Sequence, residues 1–310
     1  MALAPPTYPA ASPALVSALL AEQAPALADL PVTWLATGWD NDTYRLGELL
    51  AVRLPRHEQG ATLHTHETHW LPLLGPTLTA RTPQPAFVGV PSERFPHPWA
   101  VVDYIPGATA LELPVEESAS FAEDLADLLW SLHQPAPTHA PVNPFRGGSL
   151  ATPDADARVR ERLARLARTG DAALANELLP RWKAWTAGPD FDGVDVWLHG
   201  DLHPGNLVVG PDGHLAGVID WGDLTSGDPA CDLATAWLTF DETGRRAFTE
   251  RANQGGAIED ATWLRARAWA LHLALVMTSR PDQHRALADA GRRALGALAG
   301  EPVGRPILRW

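Results

Sequence analysis

The chain has 310 residues, 45% hydrophobic and 20% charged, a balance that excludes a disordered tail and a membrane-spanning protein and leads us to expect a packed soluble globule. At roughly 100 to 200 residues per domain, this length makes one large domain or two lobes. The net charge of −13 argues against a nucleic-acid backbone as partner, and a lone cysteine, Cys231, suits a reducing compartment and allows no internal disulfide.

No basic residue precedes Arg45, so a secretory leader is not expected and the protein reads as cytoplasmic. Val32 to Ala36 and Thr43 to Leu46 flank the turn-rich Gly38 to Asp42, and Gly47 and Glu48 link tightly to Leu49 to Leu54, which predicts a three-stranded meander. A helix is predicted around His64 to Leu74, then a short buried strand from Ala100 to Ile105 that ends at Pro106 and Gly107. From Glu117 the period changes. Phe121, Leu125, Leu128, Leu129 and Leu132 fall on one helix face, and further helical patterns cover Val159 to Leu166, Leu174 to Trp185, Thr262 to Met277 and about Gln283 to Leu298. Among these helices lies one strand-turn-strand island: Val194 to Leu198, then Leu207 to Val209, then His214 to Ile219 after the turn Pro211-Asp212-Gly213. Ala268 to Met277 is the most apolar stretch, and His272 interrupts it, so no spanning segment is expected.

The island carries the chemistry. It reads His199-Gly200-Asp201-Leu202-His203-Pro204-Gly205-Asn206, then Ile219-Asp220-Trp221-Gly222. Phosphoryl transfer needs a carboxylate to orient a hydroxyl and accept its proton late, together with oxygen ligands for magnesium. Asp201 supplies the first, and Asn206 and Asp220 can supply the others, in the kinase spacing H-x-D-x-x-x-x-N followed by D-x-G. The histidines at 64, 66 and 69 do not match the His-Glu-x-x-His zinc spacing and are expected on a solvated helix face. No G-x-S-x-G elbow exists to support a hydrolase.

In these residues the chain resembles the aminoglycoside phosphotransferase family of small-molecule kinases. The match is strongest over His199 to Asp232 (HGDLHPGN, then VIDWGDLTSGDPACDLA) and weaker from about Gly38 to Trp269. The resemblance implies an α+β, bilobal, protein-kinase-like fold: a small antiparallel-sheet nucleotide-binding lobe over 1–106, a hinge near 103–107, and a larger, mainly helical lobe over 107–310 with the catalytic loop and acceptor site. It implies Asp201 as catalytic base, Asn206 and Asp220 as Mg2+ ligands, and ATP or GTP as co-substrate. His199 is expected to fix the loop, and Asp228 and Asp232 to be helix-start carboxylates.

By the same resemblance Gly38 and Asn41 lie in the loop over the phosphates, and the Asp103 carbonyl and Ile105 amide contact adenine. Arg53, paired with Glu67, stands where relatives usually carry lysine, with Arg56 as the competing phosphate ligand. The 24 basic residues include a single lysine, Lys183, which falls in a helical stretch and cannot take that place. The expected partners are a nucleoside triphosphate and a small-molecule hydroxyl acceptor, with neither nucleic acid nor membrane; the oligomeric state stays open. An aminoglycoside or macrolide acceptor would make this a resistance enzyme, while relatives with the same loop act on aminoalcohols, homoserine-like metabolites and sugars. Two rivals remain. A protein kinase lacks room for an activation loop between Gly222 and Asp228, and a nucleotide-binding pseudokinase is suggested by the arginine at 53.

Overall fold

A computed structural model describes residues 11–256 and 258–301. The chain divides into two compact units. The first takes the described residues up to Pro106 together with Val218–Leu224, and the second takes the remainder. The division at Pro106 and Gly107 falls at the predicted breaker pair, but Val218–Leu224 groups with the first unit, not with the lobe that the sequence expectation assigned to 107–310.

In the first unit the order is α1 (Pro13–Gln23), β1 (Val32–Thr37), β2 (Asn41–Leu46), β3 (Leu50–Pro55), α2 (Glu58–Leu74), β4 (Pro85–Gly89) and β5 (Trp99–Asp103). The strands form one antiparallel sheet in the order β1-β2-β3-β5-β4. Successive side chains on a strand face opposite sides, and β3 shows what this decides. Val52 and Leu54 join a core with Val16, Leu19 and Leu20 of α1 and with Tyr44, Trp99 and Val101. Ala51 instead joins Ala100 and Val102, and Arg53 shares its parity. The fourth position of the strand therefore directs a cation away from the apolar core. Sequence periodicity did not reveal α1. Its N-cap is Ser12, whose Oγ accepts the Leu15 N–H at 3.2 Å.

Helix α2 begins six residues before the expected span because His57 caps it: its Nδ1 accepts the Gly60 N–H at 3.0 Å. The expected solvated histidine face is only partly correct. His69 is exposed and His66 half-buried, but His64 is 1% exposed. Three residues later, Glu67 points inward on the same face.

The second unit contains β6 (Ala108–Thr109), α3 (Ala122–Leu132), α4 (Pro153–Leu166), α5 (Ala172–Thr186), β7 (Val196–Leu198), β8 (Leu207–Val209), β9 (Leu215–Val218, whose last residue groups with the first unit), β10 (Thr225–Gly227), α6 (Ala230–Leu233), α7 (Thr235–Thr239), α8 (Glu242–Ala252), α9 (Asp260–Met277) and α10 (Arg285–Gly300). Helix α9 is buried nearly all round from Trp263 to Met277, as expected of a helix apolar on every side. It packs against α4, α5, α6, α7 and α10. The predicted island splits: β8 and β9 lie in one small sheet with β6, while β7 pairs with β10. Among the described residues no helix is long and apolar enough to cross a membrane.

Burial, reinforced by the Arg53 charge, lowers the His64 pKa to about 3. The folded protein therefore resists the protonation that the unfolded chain accepts near pH 6.5, so stability at His64 is lost as pH falls from 6.5 toward 3. His64→Leu should flatten this acid limb. Between pH 7 and pH 4 the wild type should lose up to about 3 kcal/mol more than the variant in chemical denaturation; parallel pH profiles would count against it.

Candidate active site

The first unit assembles three charged groups. One Arg53 guanidinium nitrogen binds Glu67 Oε1, and another donates to Asp220 Oδ1 at 2.6 Å. Arg53 is 7% and Glu67 3% exposed. Burial alone would disfavour both charges. At Arg53 the two carboxylates outweigh it and raise the guanidinium pKa further, whereas at Glu67 burial prevails over Arg53 and the carboxyl pKa is raised. Asp220 is the one described non-glycine residue with positive φ, at φ 62° and ψ 64°. Aspartate tolerates this left-handed conformation better than most residues, and it turns the side chain out of line after β9.

Gly38 and Asn41, expected over the phosphates, close the turn between β1 and β2: the Gly38 N–H donates to the Asn41 carbonyl at 2.8 Å. Arg56, the competing phosphate candidate, donates to the Gly38 carbonyl at 2.7 Å and so braces that turn. Asp40, in the same turn, went unnoticed in the sequence. It lies 3.2 Å from His57 Nε2, and burial followed by the Asp220 charge raises its pKa to about 6. The Asp103 N–H donates to the Gln84 carbonyl at 2.9 Å and the Tyr104 N–H to the Leu49 carbonyl at 2.8 Å. Among the described residues no hydrogen bond takes the Ile105 N–H.

The second unit builds the loop around Asp201. Gly200 turns at φ 86°, which aims two successive backbone amides at one carboxylate: Asp232 accepts the His199 N–H on Oδ2 and the Gly200 N–H on Oδ1, both at 2.8 Å. Asp232 is fully buried, and His133 Nε2 stands 3.3 Å from Oδ2. It lies in the first turn of α6, as expected of a helix-start carboxylate, and in addition anchors the loop. Asp228 does meet the helix start, since its Oδ1 accepts the Ala230 N–H at 3.0 Å, and it also pairs with Arg265 at 2.6 Å. His199, fully buried, accepts the Asp201 N–H on Nδ1 at 3.2 Å.

Asp201 Oδ1 lies 3.1 Å from an Arg146 guanidinium nitrogen, and its Oδ2 lies 3.5 Å from His203 Nε2. Burial would raise the Asp201 carboxyl, but Arg146 and then His203 outweigh it and hold the group well below the usual carboxylate range. Sequence reading missed Arg146, because an arginine in the loop Asn143-Pro144-Phe145-Arg146-Gly147-Gly148 carries no periodic or motif signal. The signal present is Gly147: it adopts φ 70°, and an added Cβ would meet Leu198 at 2.8 Å. Its carbonyl accepts the Asp228 N–H at 2.9 Å.

Asn206 donates Nδ2 to the Asp201 carbonyl at 2.9 Å, which leaves Oδ1 as its uncommitted oxygen. Asp220 likewise keeps Oδ2 outside any hydrogen bond among the described residues. An amide oxygen and a carboxylate oxygen are hard donors of the kind magnesium prefers, so each residue by itself has the chemistry of a Mg2+ ligand. A cavity of about 290 Å³ in the second unit is lined by Gly147, Gly148, Trp185, Asp190, Arg265 and Trp269 among others.

An antiparallel sheet unit joined to a larger helical one with this loop is a bilobal, protein-kinase-like α+β fold. Residues 32–269 match the phosphotransferase enzyme family (APH), and the chain belongs to that family. Over 158 residues it is 34% identical to aminoglycoside 3'-phosphotransferase of Streptomyces ribosidificus, covering 46% of this chain and 55% of that protein. With thiamine kinase of Escherichia coli O157:H7 it shares 25% identity over 249 residues, 77% of each chain. The chain spans about half the length of the first curated relatives it matches, 44% and 55%. Among solved structures, the GDP complex of wild-type aminoglycoside 2'-phosphotransferase-IIIa matches with a TM-score of 0.70 at 18% identity, over 93% of this chain and 99% of that one.

Removing the Asp232 carboxylate strands two buried amides. Asp232→Ala should cost about 3 kcal/mol of stability, read as a lowered denaturant midpoint, whereas Asp228→Asn, which keeps an acceptor for Ala230, should cost less. Equal midpoints for wild type and Asp232→Ala would refute the anchoring role.

Proposed function

We propose that this protein transfers the γ-phosphoryl group of ATP or GTP to a hydroxyl of a small molecule. The observation that carries the reading is Asp201: a partly exposed carboxylate on a backbone fixed by Asp232, His199 and Asn206, and kept ionised by Arg146 and His203. An ionised carboxylate accepts a hydrogen bond from the acceptor hydroxyl and points its oxygen lone pair. Such a weak base takes the proton late, which suits a loose transition state with little charge on the attacking oxygen. The acceptor oxygen forms its bond to the γ-phosphorus as the bond from phosphorus to the β–γ bridging oxygen breaks. The electron pair of that broken bond leaves with the nucleoside diphosphate, and the hydroxyl proton passes to Asp201.

Arg53 presents a fixed cation to the nucleotide phosphates, held in register by Glu67. Its planar fork spans two carboxylates at once, which a lysine ammonium on a flexible stem would not do in the same geometry. Asn206 Oδ1 and Asp220 would each supply an oxygen ligand to Mg2+, which when bound would neutralise charge on the phosphates. Gly38 and Asn41 shape the turn over the phosphates, and the Ile105 N–H with the Asp103 carbonyl reads the base. Aminoglycosides, macrolides, aminoalcohols, homoserine-like metabolites and sugars are the acceptors to screen by ADP release, because the relatives named above already span aminoglycoside and thiamine chemistry.

The second reading, a protein that binds nucleotide without transferring phosphate, draws on arginine at 53 alone. The two separate by experiment. Asp201→Ala should lower phosphoryl transfer by about 100-fold or more while magnesium-nucleotide binding, followed by thermal shift, stays within a few-fold of wild type. Unchanged turnover would remove Asp201 from the mechanism, and nucleotide binding with no ADP release from any acceptor would favour the second reading. Arg53→Lys should raise the nucleotide KM about tenfold with a smaller effect on kcat, since charge is kept and the two-carboxylate grip is not. A lysine variant with tighter nucleotide binding would show the arginine to be a compromise.

A further inference from the structure

Inward-pointing arginines in this protein are matched by carboxylates. Arg53 meets Glu67 and Asp220, Arg265 meets Asp228, and Arg267 meets Glu301. Arg162 breaks the pattern. It lies on α4 four residues after Arg158, which places both on one helix face, and among the described residues neither makes a hydrogen bond or ion pair. Arg162 is half-buried, and its Nη1 is sealed from solvent without a partner. Helix α9, which packs on α4, contributes His272, 7% exposed, whose Nδ1 is also buried and unpartnered.

These groups lie within electrostatic reach of Arg146, the arginine that pairs with the proposed base. Burial and then the charges of Arg162, Arg146 and Arg158 hold the His272 pKa down at about 3, so the ring is neutral. Arg146 and Arg158 also lie within electrostatic reach of Arg162, and Arg146 touches Asp201 at 3.1 Å. Several nearby carboxylates are paired elsewhere, Asp156 with Arg160 and the Trp182 indole, Glu161 with Arg165 and Asp228 with Arg265, and Asp154, one turn before Arg158, makes no ion pair with it among the described residues. Guanidinium does not shed its proton in a protein, so Arg162 keeps its charge with no carboxylate bonded to it among the described residues.

We propose that Arg158, Arg162 and His272 form a subsite for an oxyanion on the acceptor, a carboxylate or a phosphate monoester, which places the acceptor's hydroxyl at Asp201. The inference rests on the phosphotransferase reading and narrows it. Arginine grips planar oxyanions bidentately, and the neutral His272 ring adds a donor or an acceptor according to its tautomer. A polycationic acceptor would meet like charge here.

The test uses the full chain and two readouts. In the first, sulfate is titrated by calorimetry into wild type and variants. Sulfate should bind the wild type, with affinity falling tenfold or more in Arg162→Met and in the exposed-site variant Arg158→Met. Arg162→Lys should retain part of it, and Lys183→Met should match wild type. In the second, ADP release is compared for hydroxy acids, the methyl esters of the same acids and phosphomonoester alcohols. The anionic members should exceed the esters at least tenfold in kcat/KM, and the better of the two anionic groups identifies which oxyanion is used. Sulfate affinity unchanged in both Arg158→Met and Arg162→Met, or preferred turnover of the esters or of an aminoglycoside, would overturn the subsite while leaving the phosphotransferase reading intact. Sulfate behaviour as expected with no ADP release from any acceptor would uphold the subsite and defeat the phosphotransferase reading.

Discussion

A guanidinium inside a protein stays charged, and Arg53 puts such a charge on the central strand of the first unit, where water is scarce. The alternation of β3 sends Val52 and Leu54 into the apolar core and Arg53 to the other side. Glu67 must then lie on the inward face of α2, and the segment that returns to this unit must bring Asp220 within reach. An uncompensated buried charge would cost several kcal/mol, and breaking one partner of a buried pair about 3–5 kcal/mol. This demand ties the strand, the helix and the Asp220 turn into one arrangement. It also explains why a non-glycine residue is tolerated at φ 62°: an ion pair holds it there.

The second unit answers a different constraint. In the role proposed for Asp201, a carboxylate that meets an incoming hydroxyl cannot be buried, yet its backbone must not wander. Asp201 is therefore left partly open while its neighbours are fastened from below, with the His199 and Gly200 amides on Asp232 and the Asp201 amide on His199. Asp232 is thirty-odd residues away in sequence and 0% exposed, so the rigidity of the loop comes from the packing of α6 against α9. On the proposed reading, stability and chemistry meet in the same carboxylate, one step removed from the reacting atoms.

Features close in the chain were readable before any coordinates. The spacing from Asp201 to Asn206, the hairpin after it, the strand carrying Arg53 and the leucine face of α3 each repeat within a few residues. Groups that meet only through the fold were not readable. Arg146 comes from an aperiodic loop, Asp232 looked like an ordinary helix-start acid, and His64 looked solvated because a histidine three residues from a glutamate carries no mark of burial. Helix α1 was missed as well, because its apolar residues are spread round the helix; α8 was missed because its sequence is mostly polar. Strand β10, three residues long, has too little pattern to see.

The arginine at position 53 also governs how the protein can be handled chemically. Reagents that acylate kinases through a nucleotide-site amine need a nucleophile that loses its proton near neutral pH, and a guanidinium does not. Such probes would pass over this strand. The one side-chain amine in the chain is Lys183, exposed on α5, within the second unit. Amine-directed coupling can therefore reach the chain only through this lysine and the α-amino group, and leaves the strand that carries Arg53 chemically untouched.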